Sequence, residues 1–173
     1  MASWNDDRLE LALRASREGI WDWDLENNSI YYSGRVLRFL GYRRKDAPNL
    51  FEKRKELMDE ASVAEIDEAL RRVSEGGDDL FSAEPMVNTQ KGGWRWFRLR
   101  GTPVRNDEGK VVRIVGSAIE ISKRKQAEKE LKEERYLIQT LMDSIPMNLY
   151  FKDVESRFVM ANQATAEKMG FSS

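Results

Sequence analysis

Four side chains that could bind a cation occupy alternate positions early in the chain. Asp22, Asp24, Glu26 and Asn28 offer carboxylate and amide oxygens in the order found at the start of a calcium-binding loop. Such a loop also needs a glycine in its middle, which this chain lacks, and a glutamate at its twelfth position, where this chain has Ser33. We therefore interpret the four residues as the solvent face of a β-strand and its turn.

The amino-acid composition limits enzymatic chemistry. The 173 residues include no cysteine and no histidine. Disulfides, thiol nucleophiles and a Ser-His-Asp triad are therefore excluded, and the usual zinc and haem ligand is missing. No glycine-rich phosphate-binding loop with its lysine occurs either. The composition favours a binding or relay module over an enzyme.

Charge and hydropathy restrict the partners. Lys and Arg total 29 against 30 Asp and Glu, a net charge of −1 without the basic excess of a nucleic-acid-binding protein. No apolar stretch approaches the roughly 20 residues that cross a bilayer, and the first residues lack the features of a signal peptide. We expect a cytoplasmic chain with no nucleic-acid partner and no membrane segment in these residues.

The hydrophobic periodicity predicts strands at both ends of a domain with helices between them. The predicted strands are 20–25, 29–32, 80–88, 94–104 and 111–121, and the predicted helices lie within 1–18, 36–40 and 62–76. Ser62 and Glu65 have the spacing of a helix capping box, and Pro85 indicates an edge or a bulge. This order indicates an α+β fold with an antiparallel sheet and helices on one face.

A longer helical pattern follows. Leu131, Ile138 and Ile145 lie one heptad apart, which predicts a helical linker over 123–145 that forms half of a coiled coil. An amphipathic helix packed on its own domain is the alternative, because the pattern spans only about three heptads.

The end of the chain resembles its beginning. A shift of 129 residues aligns Trp21 with Tyr150 and Gly41 with Gly170 without a gap. We expect residues 146–173 to be the truncated start of a second copy of the first domain. Chance similarity is the alternative, since few positions are identical.

Four segments resemble sequence signatures of PAS sensory domains, in the same order. They are the opening strand at 15–25, the first core helix at 33–42, the hairpin KGGWRW at 91–96 and the closing strand with its exit at 114–125. The sequence YFKD at 150–153 resembles the opening of a second PAS domain. The resemblance implies a five-stranded antiparallel sheet and a role as sensor or relay upstream of an output such as a histidine kinase or a diguanylate cyclase.

The resemblance also restricts the cofactor. Family members that hold haem through a histidine, or a chromophore through a cysteine, are excluded by the composition. A non-covalent flavin, a small organic ligand or an empty pocket remains open.

Strand alternation selects the side chains that would face the helices and line such a pocket. The candidate ligand-binding residues are Trp21, Trp23, Phe97, Leu99, Ile114, Gly116 and Ala118 on the strands, and Val36, Phe39 and Leu40, which face them from the helix. Gly116 and Ala118 would leave room for a ligand. Two tryptophans that each bury about 150–250 Å² favour a packed core instead, and both interpretations remain open.

Three residues are candidates for signalling. Glu120-Ile121-Ser122 stands where the family has Asp-Ile-Thr, and Glu120 can accept a charge-assisted hydrogen bond while Ser122 can donate one. Arg95 or Arg98 on the neighbouring strand is the expected partner of Glu120. We predict that the pair couples the domain to the following helix, with an exposed ion pair of little energetic weight as the alternative.

These inferences predict four segments and one function. The segments are an amphipathic helix at 1–18, a PAS domain at 19–122, a helical linker at 123–145 and the start of a second PAS domain at 146–173. The predicted function is sensing of a small non-covalent ligand, with signalling through the C-terminal helix. A ligand-free dimerisation relay is the alternative. We expect a homodimer through the N-terminal and linker helices, and an output domain in the same parent chain.

Overall fold

The computed structural model describes residues 15–16, 18–45 and 53–170. Most of the predicted helix within 1–18 lies outside the described residues. Backbone contacts divide the chain into two compact units with the boundary after Ser122, and each unit is described by itself.

The first unit contains one antiparallel sheet of six strands. The strands are β1 (Gly19–Asp24), β2 (Ser29–Tyr32), β3 (Phe81–Ala83), β4 (Met86–Asn88), β5 (Trp94–Arg105) and β6 (Val111–Glu120). They are arranged in the order β2-β1-β6-β5-β3, and β4 also pairs with β5. The predicted antiparallel α+β architecture is confirmed.

The predicted strand 80–88 is two short strands. β3 and β4 pair with successive parts of β5, and the interruption falls at Glu84 and Pro85. Proline has no amide hydrogen to donate to a neighbouring strand. Its carbonyl instead accepts a hydrogen bond from the Phe97 amide at 3.0 Å, which keeps both halves on the same partner strand.

Three helices complete the first unit. They are α1 (Gly34–Leu40), α2 (Arg54–Leu57) and α3 (Glu60–Ser74). α1 contacts β1 and β2, and α3 contacts β3. α1 ends at Gly41, whose φ of 83° is the left-handed conformation that glycine adopts at helix ends.

The predicted capping box at the start of α3 is wrong. Asp59 is the N-cap, and its carboxylate accepts a hydrogen bond from the Ser62 amide at 2.9 Å. The Ser62 hydroxyl instead accepts from the Met86 amide at 2.8 Å, and the Glu65 carboxylate accepts from the Glu84 amide at 2.8 Å. Both side chains therefore hold the broken strand against α3.

A long helix begins at Ser122, the last residue of the first unit, and forms the start of the second unit, which continues with a hairpin and a short helix. The elements are α4 (Ser122–Asp143), β7 (Tyr150–Lys152), β8 (Phe158–Ala161) and α5 (Gln163–Lys168). β7 and β8 pair antiparallel. The prediction of a helix following the first domain is confirmed by α4.

Asn162 joins three of these elements. Its fully buried amide nitrogen donates to the carbonyl oxygens of Met142, Ile145 and Met147 at 2.8–3.2 Å. Its amide oxygen accepts from the backbone of Leu149 at 3.0 Å. The same oxygen caps the start of α5. One side chain thus connects the end of α4 to the hairpin and to α5.

Candidate functional site

A cavity of about 100 Å³ lies in the core of the first unit. Seven of the ten residues predicted to bind a ligand line it: Trp21, Trp23, Val36, Leu40, Phe97, Leu99 and Ala118. They come from β1, α1, β5 and β6. The residues selected by strand alternation and by the helix pattern therefore lie together along one side of the cavity.

The other three predicted residues have different positions. Phe39 is half-buried beside Phe97, with ring centroids 6.2 Å apart. Ile114 is fully buried in the hydrophobic core. Gly116 pairs with Trp21 and Gly101 on the two neighbouring strands. None of the three is among the residues that line the cavity.

The expectation that Gly116 leaves room for a ligand is wrong. A Cβ atom added at Gly116 would lie 2.6 Å from Cζ2 of Trp21, and one added at Gly101 would lie 2.7 Å from Cη2 of the same ring. The Trp21 indole already fills the space above both glycines. Its Nε1 donates to the Ser117 carbonyl at 2.8 Å, and its ring meets Phe81 edge-on at 5.5 Å. Trp21 is therefore a fixed wall of the cavity.

Eight residues that line the cavity were not predicted. They are Ile30, Tyr32, Leu57, Met58, Ile66, Phe81, Pro85 and Val87. The alternation of β2 could have indicated Ile30 and Tyr32, which lie on one face of that strand. The contribution of α2 follows only from the tertiary structure, because α2 is one turn long and has no hydrophobic periodicity.

The residues lining the cavity carry no charged side chain. Nitrogen or oxygen atoms occur only on the side chains of Trp21, Trp23 and Tyr32. In the part of the chain that the structure describes, no group of three or more His, Cys, Asp or Glu residues could hold a metal ion. The cavity can therefore contact a ligand mainly through apolar surface.

The acidic residues considered for calcium lie elsewhere. Asp22 forms a two-pronged ion pair with Arg113 on β6, with Nε and Oδ1 2.7 Å apart. Asp24 accepts hydrogen bonds from the backbone and side chain of Asn27, which hold the pKa of its carboxyl below the ordinary value. Their position on a strand and in its turn agrees with the interpretation made from the sequence.

The three candidate signalling residues meet at the junction of β5, β6 and α4. The Arg95 guanidinium contacts the Glu120 carboxylate at 2.8 Å, and both side chains are partly exposed. The Ser122 hydroxyl accepts a hydrogen bond from the Trp96 amide at 3.0 Å, so it acts as an acceptor here rather than as the expected donor. The Ile121 amide also donates to the Trp96 carbonyl at 2.8 Å. We call Arg95, Trp96 and Glu120–Ser122 the strand–helix junction.

The cavity and the junction share two strands. On β5, Phe97 and Leu99 line the cavity directly after the two junction residues. On β6, Ala118 lines the cavity two residues before Glu120. The strands that line the cavity are therefore the same strands that hold the first residue of α4.

The fold and its cavity define a sensory domain of the PAS type. The sequence profile of the family described as PAS fold matches residues 29–118, more than half of the chain. This chain belongs to the PAS family.

Two curated relatives match most of the chain. It is 26% identical over 156 residues to the sensor protein FixL of Bradyrhizobium diazoefficiens, with 89% of this chain and 30% of that protein covered. It is 27% identical over 167 residues to the probable diguanylate cyclase DgcE of Escherichia coli, with 94% of this chain and 14% of that protein covered. The chain thus spans less than a third of the length of either relative.

A solved structure is similar over most of the chain. The sensory box histidine kinase/response regulator of Burkholderia thailandensis superposes with a TM-score of 0.67 at 27% identity, covering 77% of this chain and 98% of that one. The domain is therefore related to sensory modules of kinases and cyclases. Across the described residues, no helix is both long enough and apolar enough to cross a membrane.

Proposed function

We propose that residues 19–122 bind a small non-covalent ligand in the cavity and signal through α4 to an output domain of the same parent protein in the cytoplasm. The observation that supports this proposal is that the cavity and the strand–helix junction both include residues of β5 and β6. A ligand that binds one arrangement of these strands better than another would shift the population between them.

Mass and absorbance measurements test the binding step. A native mass spectrum and an absorbance spectrum of the purified protein should reveal a bound molecule that is released on denaturation. A consistently empty protein that also takes up no added ligand would favour the alternative function, a ligand-free dimerisation relay.

Two variants test the coupling step. Glu120→Gln weakens the ion pair with Arg95, and Ser122→Ala removes the acceptor for the Trp96 amide. Each should reduce the effect of ligand on the output of the parent protein while ligand affinity stays the same. Glu108→Gln, in the exposed turn between β5 and β6, is the matched control. Unchanged regulation in both junction variants would contradict the proposal.

We also propose the domain boundaries 1–18, 19–122, 123–145 and 146–173, with a second PAS domain starting at 146. A shift of 129 residues aligns β2 with β8 and α1 with the whole of α5. The N-caps of these helices, Ser33 and Asn162, correspond under this shift. Each side chain accepts a hydrogen bond from a backbone amide at equivalent positions under this shift, Ile20 in β1 at 2.9 Å and Leu149 just before β7 at 3.0 Å. These parallels support a repeated structural unit.

The exposed apolar side chains of the hairpin support the same proposal. Tyr150, Val159 and Met169 correspond to Trp21, Ile30 and Leu40, which line the cavity of the first unit, yet they are 47–66% exposed. In a second PAS domain this face would be covered by the rest of its core. Radical footprinting of the parent protein should then find Tyr150 and Met169 protected. Val154 at the hairpin turn should remain reactive, and Tyr150 and Met169 reacting at the intrinsic rates of exposed side chains would contradict the proposal.

The alternative function is a ligand-free dimerisation relay. Both this alternative and the proposed homodimer require contacts between two copies of α4. Leu131, Ile138 and Leu141 lie at seam positions of the heptad pattern and are 40–66% exposed. Sedimentation should give a dimer that Ile138→Glu weakens at least about tenfold, since a buried unpaired charge is costly. Tyr136→Glu lies away from the seam and is the control. A monomeric wild-type protein would contradict the proposed dimer.

A further inference from the structure

The cavity of the first unit is small for a ligand site. Its volume is about 100 Å³, whereas sites for drug-sized ligands and cofactors enclose about 300–1,000 Å³. An apolar cavity of about 150 Å³ in another protein holds benzene. The smaller volume here therefore sets about one aromatic ring as the upper limit for the ligand and does not suit the three fused rings of a flavin.

The cavity cannot widen towards β5 and β6 by a simple side-chain rotation. The Trp21 indole covers Gly101 and Gly116, and both its hydrogen bond to Ser117 and its edge contact with Phe81 hold it there. A larger ligand would need to displace this ring and break the hydrogen bond. On this side the size of the cavity is therefore limited by the Trp21 ring.

The chemistry of the lining restricts the charge of the ligand. The side chains that surround the cavity are aliphatic or aromatic, and none of those among the described residues carries a charge. A buried carboxylate or phosphate without a partner is strongly unfavourable. One of the polar groups at the wall, the Trp21 indole N–H, already donates to a backbone carbonyl.

We infer that the cavity selects an uncharged, mostly apolar molecule no larger than about one aromatic ring. The inference rests on the proposed sensor function and narrows it, because it excludes both a flavin and an organic acid as the ligand.

Binding of three probes to the purified chain tests this inference. Benzene has the expected size and charge, benzoate adds only a carboxylate, and flavin mononucleotide represents the larger cofactor. Saturable chemical-shift changes of the Val36, Leu99 and Ala118 methyl groups report binding. We expect benzene to bind at least about tenfold more tightly than benzoate, and flavin mononucleotide not to bind.

Two substitutions that fill the cavity test whether benzene binds inside it. Ala118→Val adds volume from β6 and Ile66→Phe adds it from α3, so a folding defect in one leaves the other informative. Each should lower benzene affinity at least about tenfold. Val115→Ile adds a methylene to β6 at an exposed position outside the cavity lining and should leave the affinity unchanged.

The outcomes separate the inference from the proposed function. Saturable binding of benzoate or flavin mononucleotide at the same methyl groups overturns the ligand class and leaves the sensor function in place. If no probe binds, the protein purifies empty and the filled variants signal normally in the parent protein, the sensor function fails as well.

Discussion

Gly116 on β6 pairs with Trp21 of β1 on one side and with Gly101 of β5 on the other. A Cβ atom there would lie 2.1 Å from the Arg100 carbonyl oxygen and 2.6 Å from the Trp21 ring. The first contact is with backbone, which cannot move aside as a flexible side chain can. The residue is therefore required for the close pairing of the central strands.

Substitution of this glycine should be costly. We expect Gly116→Ala to lower the free energy of unfolding by about 1–3 kcal/mol through overpacking. Gly34→Ala is the control, because a Cβ atom at this first position of α1 has no neighbour closer than 4.0 Å. The control should be neutral or slightly stabilising. Urea unfolding of both variants measures the difference, and equal stability would contradict the steric argument.

Asp24 provides a second prediction at the scale of a residue. Hydrogen bonds from the Asn27 backbone and side chain lower the pKa of its carboxyl. Since the folded pKa lies below the unfolded one, this carboxylate stabilises the fold above the unfolded pKa, and the contribution is lost as pH falls through the folded value. Asn27→Ala should raise the pKa of Asp24 in a carboxyl NMR titration.

Asp153 serves as the internal reference in the same titration. It occupies the corresponding turn of the second unit, where hydrogen bonds from Arg157 lower the pKa of its carboxyl. Its pKa should not respond to Asn27→Ala. An unchanged pKa of Asp24 in this variant would show that the Asn27 side chain does not determine it.

At the scale of the element, the hairpin β7–β8 depends on one amide side chain. Asn162 forms hydrogen bonds with both its nitrogen and its oxygen in a fully buried position. Loss of this side chain removes the hydrogen bonds that it makes with the Leu149 amide and with the Ile145 and Met147 carbonyls, and each buried group left without a partner costs about 1–3 kcal/mol.

Two substitutions of Asn162 should therefore disrupt the hairpin. Asn162→Ala removes every side-chain bond, while Asn162→Asp keeps the acceptor but places a negative charge against three carbonyl oxygens. Both should abolish hydrogen-exchange protection of the Leu149 and Thr165 amides. Gln163→Ala, on the exposed neighbour, should preserve it. Retained protection in both variants would contradict this role.

At the scale of the whole molecule, the chain divides into two compact units after Ser122. Local stability can differ between such units. We therefore expect Gly116→Ala to increase hydrogen exchange in β5 and β6 and to leave the Leu149 and Thr165 amides unaffected. Asn162→Ala should give the opposite pattern. Increased exchange of both units in either variant would indicate one cooperative unit instead.

The sequence by itself determined the local elements of the first unit. Alternation placed Trp21 and Trp23 on the buried face of β1, and glycine at position 41 marked the end of α1. These features follow from the periods of strand and helix and from backbone conformation, which depend on neighbouring residues. The same reasoning identified seven of the residues that line the cavity.

Only the tertiary structure decided how those elements use their side chains. Ser62 was predicted to cap its own helix, but its hydroxyl binds the Met86 amide, 24 residues away. Gly116 was predicted to leave space, but the Trp21 ring from a neighbouring strand occupies it. These contacts depend on which residues from distant parts of the chain lie next to each other in the folded protein. Packing and hydrogen bonding between elements therefore set the size and chemistry of the cavity.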